Sequence, residues 1–137
     1  MQVRIANHTD ILGIEQLLRS VPGVWQPVWR NDVVERALRS ANDLAYVAAE
    51  QRIIGFACAH DVGFRAYLSE LVVAESWQRQ GVGSMLLAAL QRGVAARGCK
   101  LVVADIFPPS AAFYRAKGWT EPRALLLRRE LGTDVVA

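Results

Sequence analysis

Lysine is almost missing from this chain of 137 residues: Lys100 and Lys117 stand alone, and the remaining basic side chains are arginines scattered from Arg4 to Arg129 with acids between them. A formal charge of +3 spread in this way forms no basic stripe for tracking phosphates, so no nucleic-acid partner is expected. Cysteine is equally scarce. Cys58 and Cys99 both lie in apolar stretches, where the residue behaves as a small reduced hydrophobe. There is no CxxC pair, and His8 and His60 stand alone, so no metal site is expected. Long hydrophobic runs are also lacking: stretches such as 101–104 and 124–127 fall far short of the ~20 apolar residues of a membrane span. Arg4, His8 and Asp10 interrupt the opening segment before any secretory core can form, which makes the cytosol the expected compartment.

What is present suits a globular domain. Hydrophobic residues make up 53% of the chain and charged residues 21%, and folding at about this length buries roughly 68–70% of the unfolded surface. One domain over residues 1–137 is the expectation. Val3 and Ile5 alternate with polar neighbours as a strand, and Asn7 to Asp10 carry cap chemistry for a helix with Ile11, Ile14, Leu17 and Leu18 on one face. Val21-Pro22-Gly23 breaks that helix. Trp25 and Trp29 flank Pro27 before Asn31 or Asp32 caps a second short helix ending near Ser40. Residues 44–49 and 53–60 read as an antiparallel hairpin, and 67–73 as a third strand. From Gly81 the apolar spacing is helical as far as Gly98, and a strand is expected over 101–106. Pro108-Pro109-Ser110 opens a helix that Gly118 stops, and a final strand is expected over 124–130. Antiparallel strands in front and a β-α-β crossover behind make a mixed α/β (α+β) sheet flanked by about four helices.

The chemistry concentrates where the third strand turns into the long helix. Gly81 and Gly83 remove side chains at the helix start, leaving backbone N–H groups aimed outward with the positive end of the helix dipole. Such a place binds phosphate. The plain alternative is a turn eased by glycine into an amphipathic helix. A P-loop is excluded because no Lys precedes Ser84, and a dinucleotide fingerprint is excluded because Leu86 stands where a third small residue belongs.

The run Gln78-x-x-Gly81-x-Gly83, preceded by Leu71-Val72-Val73 and followed by Ser84-Met85-Leu86-Leu87, resembles the acetyl-coenzyme A signature of the GNAT N-acetyltransferase superfamily. A second block, from Ser110 through Phe113-Tyr114 to Gly118-Trp119, resembles the family's later A-x-x-F-Y-x-x-x-G-F segment, with Trp119 in place of Phe. The resemblance implies a largely antiparallel central sheet with a V-shaped splay between strands 67–73 and 101–106. It implies acetyl-CoA as co-substrate, no metal, and a cofactor site made of Leu71, Val72, Val73, Gln78, Arg79, Gln80, Gly81, Val82, Gly83 and Ser84. The N–H groups of 79–84 would cradle the pyrophosphate, the backbone of 71–73 would pair with the pantetheine arm, and an N–H at Val72 or Val73 would polarise the acetyl carbonyl. Glu75 and Phe107 or Pro108 depart from residues common in the family.

Two side chains are the candidate catalysts. A phenol can protonate a departing thiolate, and the resemblance gives that role to Tyr114; the alternative is an aromatic pair that only anchors a helix. An acceptor amine is protonated at neutral pH, and Glu70 sits where the resemblance places a carboxylate that takes its proton; a water chain, or Tyr67 orienting one, is the alternative, as is a plain exposed acid on a strand face. Trp25 and Trp29 either line the acceptor pocket or cap the core. The expected activity is acetyl transfer to a primary amine of a small molecule or peptide, by direct attack, with no membrane partner. A non-catalytic acyl-CoA sensor shares the phosphate loop and is the alternative. The apolar strand 124–127 leaves room for a homodimer.

Overall fold

The computed structural model describes residues 1–132. Two compact units divide the chain, one over Met1–Ala104 and a second from Asp105 onward. The first unit holds, in order, β1 (Gln2–Ile5), α1 (Ile11–Ser20), α2 (Val33–Ala41), β2 (Ala45–Glu50), β3 (Arg52–Asp61), β4 (Ala66–Val73), α3 (Val82–Ala96) and β5 (Val102–Val103). The strands lie side by side in sequence order, antiparallel from β1 to β4 and parallel between β4 and β5. This is the mixed, largely antiparallel sheet expected from the sequence.

Alternation along β3 separates the two faces of the sheet. Gly55 faces α3, where an added Cβ would stand 2.7 Å from Leu86 Cδ1 and 3.1 Å from Val82 Cγ1. The missing side chain is what lets α3 approach so closely. Its neighbour Phe56 turns to the other face and shares a wall with Leu18 of α1 and Val34 of α2. Ile14, Leu17 and Leu18 of α1 are buried, as are Val82, Leu86, Leu87, Leu90 and Val94 of α3. Their burial between helix and sheet is the main source of stability.

The 3₁₀ turn His8–Asp10 that leads into α1 is held by a charged capping box. Asn7 accepts from the Thr9 N–H at 2.9 Å, while the buried Asp10 accepts from the Asn7 N–H at 2.9 Å and takes a two-pronged bond from Arg4 at 2.7 and 2.8 Å. The Arg4 bond holds the Asp10 carboxyl below its ordinary pKa, against desolvation. Because the folded value lies below the unfolded one, this stabilisation is complete above about pH 4 and is lost as pH falls through the folded value. Asp10→Ala strips Arg4 and the Asn7 N–H of their partner, and is expected to cost about 2 kcal/mol in urea unfolding at pH 7. The deficit shrinks in acid; a cost independent of pH would refute the assignment.

Two sequence expectations change. The strand predicted over 101–106 forms a ladder only at Ala66↔Val102 and Tyr67↔Val103, after which it leaves β4. The strand predicted over 124–130 does not form: no helix or strand occurs from 119 to 132, and Leu125, Leu126 and Leu127 are exposed. Among the described residues, its own unit contains a 3₁₀ turn (Pro108–Ser110) and α4 (Ala111–Ala116) and no strand. An apolar run without a partner ladder has nowhere to place its backbone hydrogen bonds.

Within that second unit, α4 ends as the glycine pattern implied. Lys117 and Trp119 N–H groups both donate to the Tyr114 carbonyl, and Gly118 adopts φ +91°. The buried Tyr114 ring stands edge-on to Phe113 and to Trp119, each with centroids 5.2 Å away.

Candidate active site

β4 sets the site because one of its edges is bare. The Ala74 N–H donates to the Ile54 carbonyl of β3 at 2.8 Å. Strand alternation therefore turns the Val72 N–H towards β3 and those of Leu71 and Val73 towards the opposite edge. Beyond Tyr67, no strand pairs with that edge among the described residues. Of the two N–H groups that the sequence left open, that of Val73 turns to the bare edge and that of Val72 to β3.

The loop after β4 is fixed by its own glutamines. Gln78 Nε2 donates to the Val73 carbonyl at 3.0 Å, and Gln80 Nε2 donates to the Ser76 carbonyl at 3.0 Å. Both side chains thus shape the loop, and only their backbones are free to face a phosphate. Arg79 adopts φ +64° and Gly81 φ +86°. These two left-handed positions turn the chain sharply just before α3. A non-glycine residue at positive φ costs about 1 kcal/mol, a strain that sequence patterns do not mark at Arg79.

Gly81 caps α3 without a side-chain hydrogen bond, and the first N–H to find a helical acceptor is that of Met85, bonded to the Gly81 carbonyl at 3.1 Å. The N–H groups of Val82, Gly83 and Ser84 lie in the turn that has no acceptors of its own helix, at the positive end of the dipole. Gly81 and the exposed Arg79 flank this opening. The donor set suits a pyrophosphate.

On the other face of the sheet, a cavity of about 550 Å³ opens between α2 and strands β3 and β4. Leu18, Trp29, Val33, Val34 and Phe56 form its apolar wall, and Ser40, His60, Ser69 and Glu70 bring polar atoms. Arg30, Arg36 and Arg39 also line it, with Arg36 paired to Asp32 at 2.8 Å and Arg39 to Glu35 at 3.1 Å. Glu70 is therefore half-buried in a pocket wall and not a plain exposed acid. Of the two tryptophans, Trp29 lines the cavity, whereas Trp25 stands edge-on to it at 5.3 Å and carries the Arg19 guanidinium 3.8 Å above its ring.

Sequence reasoning missed His60. Its Nδ1 lies 2.8 Å from Ser40 Oγ and its Nε2 lies 2.7 Å from Ser69 Oγ, and burial holds its pKa below the ordinary imidazole value. Ser69 sits at the irregularity where the β3–β4 register shifts, between the pairs Cys58↔Glu70 and Ala59↔Leu68. The bulge places Ser69 and Glu70 together on the cavity wall. The buried Cys58 thiol is pushed up to about 12 by desolvation and is no nucleophile. Cys99 is half-buried, more exposed than expected, and both cysteines are free. No group of side chains among the described residues has the makings of a metal site.

The sequence profile of the acetyltransferase (GNAT) family matches residues 12–119. No curated protein matches the chain in sequence. Among solved structures, the aminoglycoside N-acetyltransferase AAC(6')-Iy, in complex with the bisubstrate analogue CoA-S-monomethyl-acetylneamine, is 22% identical with a TM-score of 0.74, the alignment covering 96% of this chain and 98% of that one. An acetyltransferase of Trypanosoma brucei is 22% identical with a TM-score of 0.72, over 95% of this chain and 99% of that one. A transcriptional regulator from Bacillus halodurans shares 18% identity and a TM-score of 0.73, over 94% and 99%. At such identities the likeness is one of fold, whereas the profile spans well over half of the chain. With that match over residues 12–119, beside the glycine turn into α3 and the bare edge of β4, the chain belongs to the GNAT acetyltransferase family.

Proposed function

We propose that the protein transfers the acetyl group of acetyl-CoA to a primary amine by direct attack, with both reactants bound at once. The observation that carries this reading is β4. Residues 71–73 of this one strand offer a bare edge that runs into the α3 phosphate turn, while Ser69 and Glu70, just before them, line a separate cavity. Donor and acceptor would then meet on a single rigid element, and orientation supplies much of the acceleration in such a reaction.

Each residue has a task in this scheme. The N–H groups of 79–84 hold the pyrophosphate, and the outward N–H groups of Leu71 and Val73 take the pantetheine arm and the acetyl oxygen. Glu70 binds the acceptor's ammonium group within the cavity. Tyr114, carried on the F-Y block that matches the family pattern, gives its phenolic proton to the departing thiolate. Ser and Cys nucleophiles are not needed, in keeping with a Cys58 thiol that burial keeps protonated.

The cavity also speaks to the acceptor. Its size suits a small molecule or the end of a peptide, and its apolar wall suits an acceptor with a hydrophobic body. Arg30, Arg36 and Arg39 disfavour a polycation. Thiol release over a panel of monoamines, peptides and aminoglycosides tests this, with monoamines of apolar body expected to react fastest. Tight CoA binding without release from any acceptor would favour a sensor over an enzyme. Glu70→Gln is expected to raise the acceptor KM about tenfold, the loss of one charged hydrogen bond, with acetyl-CoA affinity unchanged. An unaltered KM would remove Glu70 from the site.

A further inference from the structure

We infer that His60, acting with Ser69 and Ser40, is the proton relay that turns the bound ammonium group into a free amine. This rests on the acetyltransferase reading above and deepens it. The three side chains form a line across the sheet: Ser69 Oγ of β4 at 2.7 Å from His60 Nε2 of β3, and His60 Nδ1 at 2.8 Å from Ser40 Oγ of α2. Ser69, His60 and Ser40 all line the acceptor cavity, and Ser40 is exposed at its far end. One end of the line therefore lies beside Glu70 and the other in water.

The atoms permit transfer in one direction. Ser69 Oγ lies 2.7 Å from His60 Nε2 and 3.2 Å from the Cys58 carbonyl, so its single proton has two acceptors to choose between. With Nδ1–H donated to Ser40, Nε2 carries the lone pair. An N–H proton of the ammonium group passes to Ser69 Oγ as the Ser69 proton passes to Nε2. The amine is left neutral with its lone pair free, Ser69 is restored, and His60 becomes an imidazolium ion. That ion releases its Nδ1 proton through Ser40 to solvent, and proton exchange with water once product has left the cavity moves the remaining proton from Nε2 back to Nδ1 for the next turnover.

His60 is placed to be the proton's destination. An aliphatic ammonium has an ordinary pKa near 10, so freeing the amine at pH 7 needs a neutral acceptor within reach. Burial keeps His60 neutral and able to accept at pH 7. The charged groups around it act in opposite senses. Cys58, 3.7 Å from Nε2 on β3, is an uncharged thiol. From α2 and the turn before it, Arg30, Arg36 and Arg39 line the cavity, with Arg36 and Arg39 paired to Asp32 and Glu35, while Glu70 of β4 holds the ammonium group in its charged form until the relay takes the proton. Leu18 is what α1 contributes.

The test is the pH profile of kcat/KM for wild type, His60→Gln and Ser69→Ala, with acceptors whose ammonium pKa is about 10 or about 7. For the more basic acceptor, both variants are expected to lose about 100-fold at pH 7 and to recover as pH approaches the acceptor's own pKa, because free amine then needs no relay. For the weaker base the loss is expected to be about threefold at most. Imidazole added to His60→Ala should restore part of the rate. A loss that is the same at every pH and for both acceptors would show a structural role and overturn the relay, as would variants as active as wild type. A wild type that acetylates no amine would sink the acetyltransferase reading and the relay together, whereas active variants would sink the relay alone.

Discussion

Gly83→Val is expected to weaken acetyl-CoA binding at least ~100-fold while leaving the fold intact. Gly83 stands in the first turn of α3, whose N–H groups have no acceptor in their own helix and no side-chain cap. A branched side chain there stands at the opening through which a pyrophosphate must reach the Val82, Gly83 and Ser84 N–H groups. Valine forms helix somewhat better than glycine, so thermal stability should hold or rise slightly. That contrast separates this position from Gly81. An added Cβ at Gly81 meets nothing within 4 Å, but φ is +86°, so Gly81→Ala costs about 1 kcal/mol of strain before any ligand is considered. Calorimetric titration with CoA, beside a thermal melt, reads both quantities. Retained affinity in a folded Gly83→Val protein would contradict the placement of the phosphate.

The second large effect is expected at Tyr114. Removing its hydroxyl in Tyr114→Phe should lower kcat about 100-fold, the usual scale of a general acid, and leave CoA affinity within about twofold. The ring can stay where it is. Its edge-on contacts with Phe113 and Trp119 involve the aromatic carbons, and the bonds from the Lys117 and Trp119 N–H groups go to the Tyr114 main-chain carbonyl. A fall in stability with kcat unchanged would make Tyr114 a packing residue only. Together with the proposed relay, this gives the two proton transfers different signatures: a Tyr114 that protonates the leaving thiolate should be insensitive to the acceptor's basicity, while a His60 that deprotonates the acceptor should follow it.

Local patterns carried much of the fold into the sequence. Ile14, Leu17 and Leu18 mark the buried face of α1, and Gly98 and Gly118 stop their helices at φ +83° and +91°. The turn into α3 was legible for the same reason, since Gly81 takes a positive φ that glycine adopts freely. What escaped depends on contacts between distant residues. His60 meets Ser40, 20 residues back, and Ser69, nine residues on, and the second meeting requires a register shift in β4 that no alternation pattern announces. Gln78 was placed among the cofactor-binding residues by its motif, and the motif does not announce that its amide donates to the Val73 carbonyl. The run 124–127 looked like a strand because it is apolar, and a strand needs a partner as well as a composition.

The central claim is that β4 brings an acetyl donor on its bare edge to an amine in the adjoining cavity. Incubation of the wild-type protein with acetyl-CoA and a panel of amines, following free thiol and acetylated product together, tests it most directly. The account predicts saturable acetyl-CoA binding and equimolar release of CoA and N-acetyl product from monoamines with an apolar body. A folded protein that binds no acetyl-CoA, or that binds it and acetylates nothing across the panel, would contradict it.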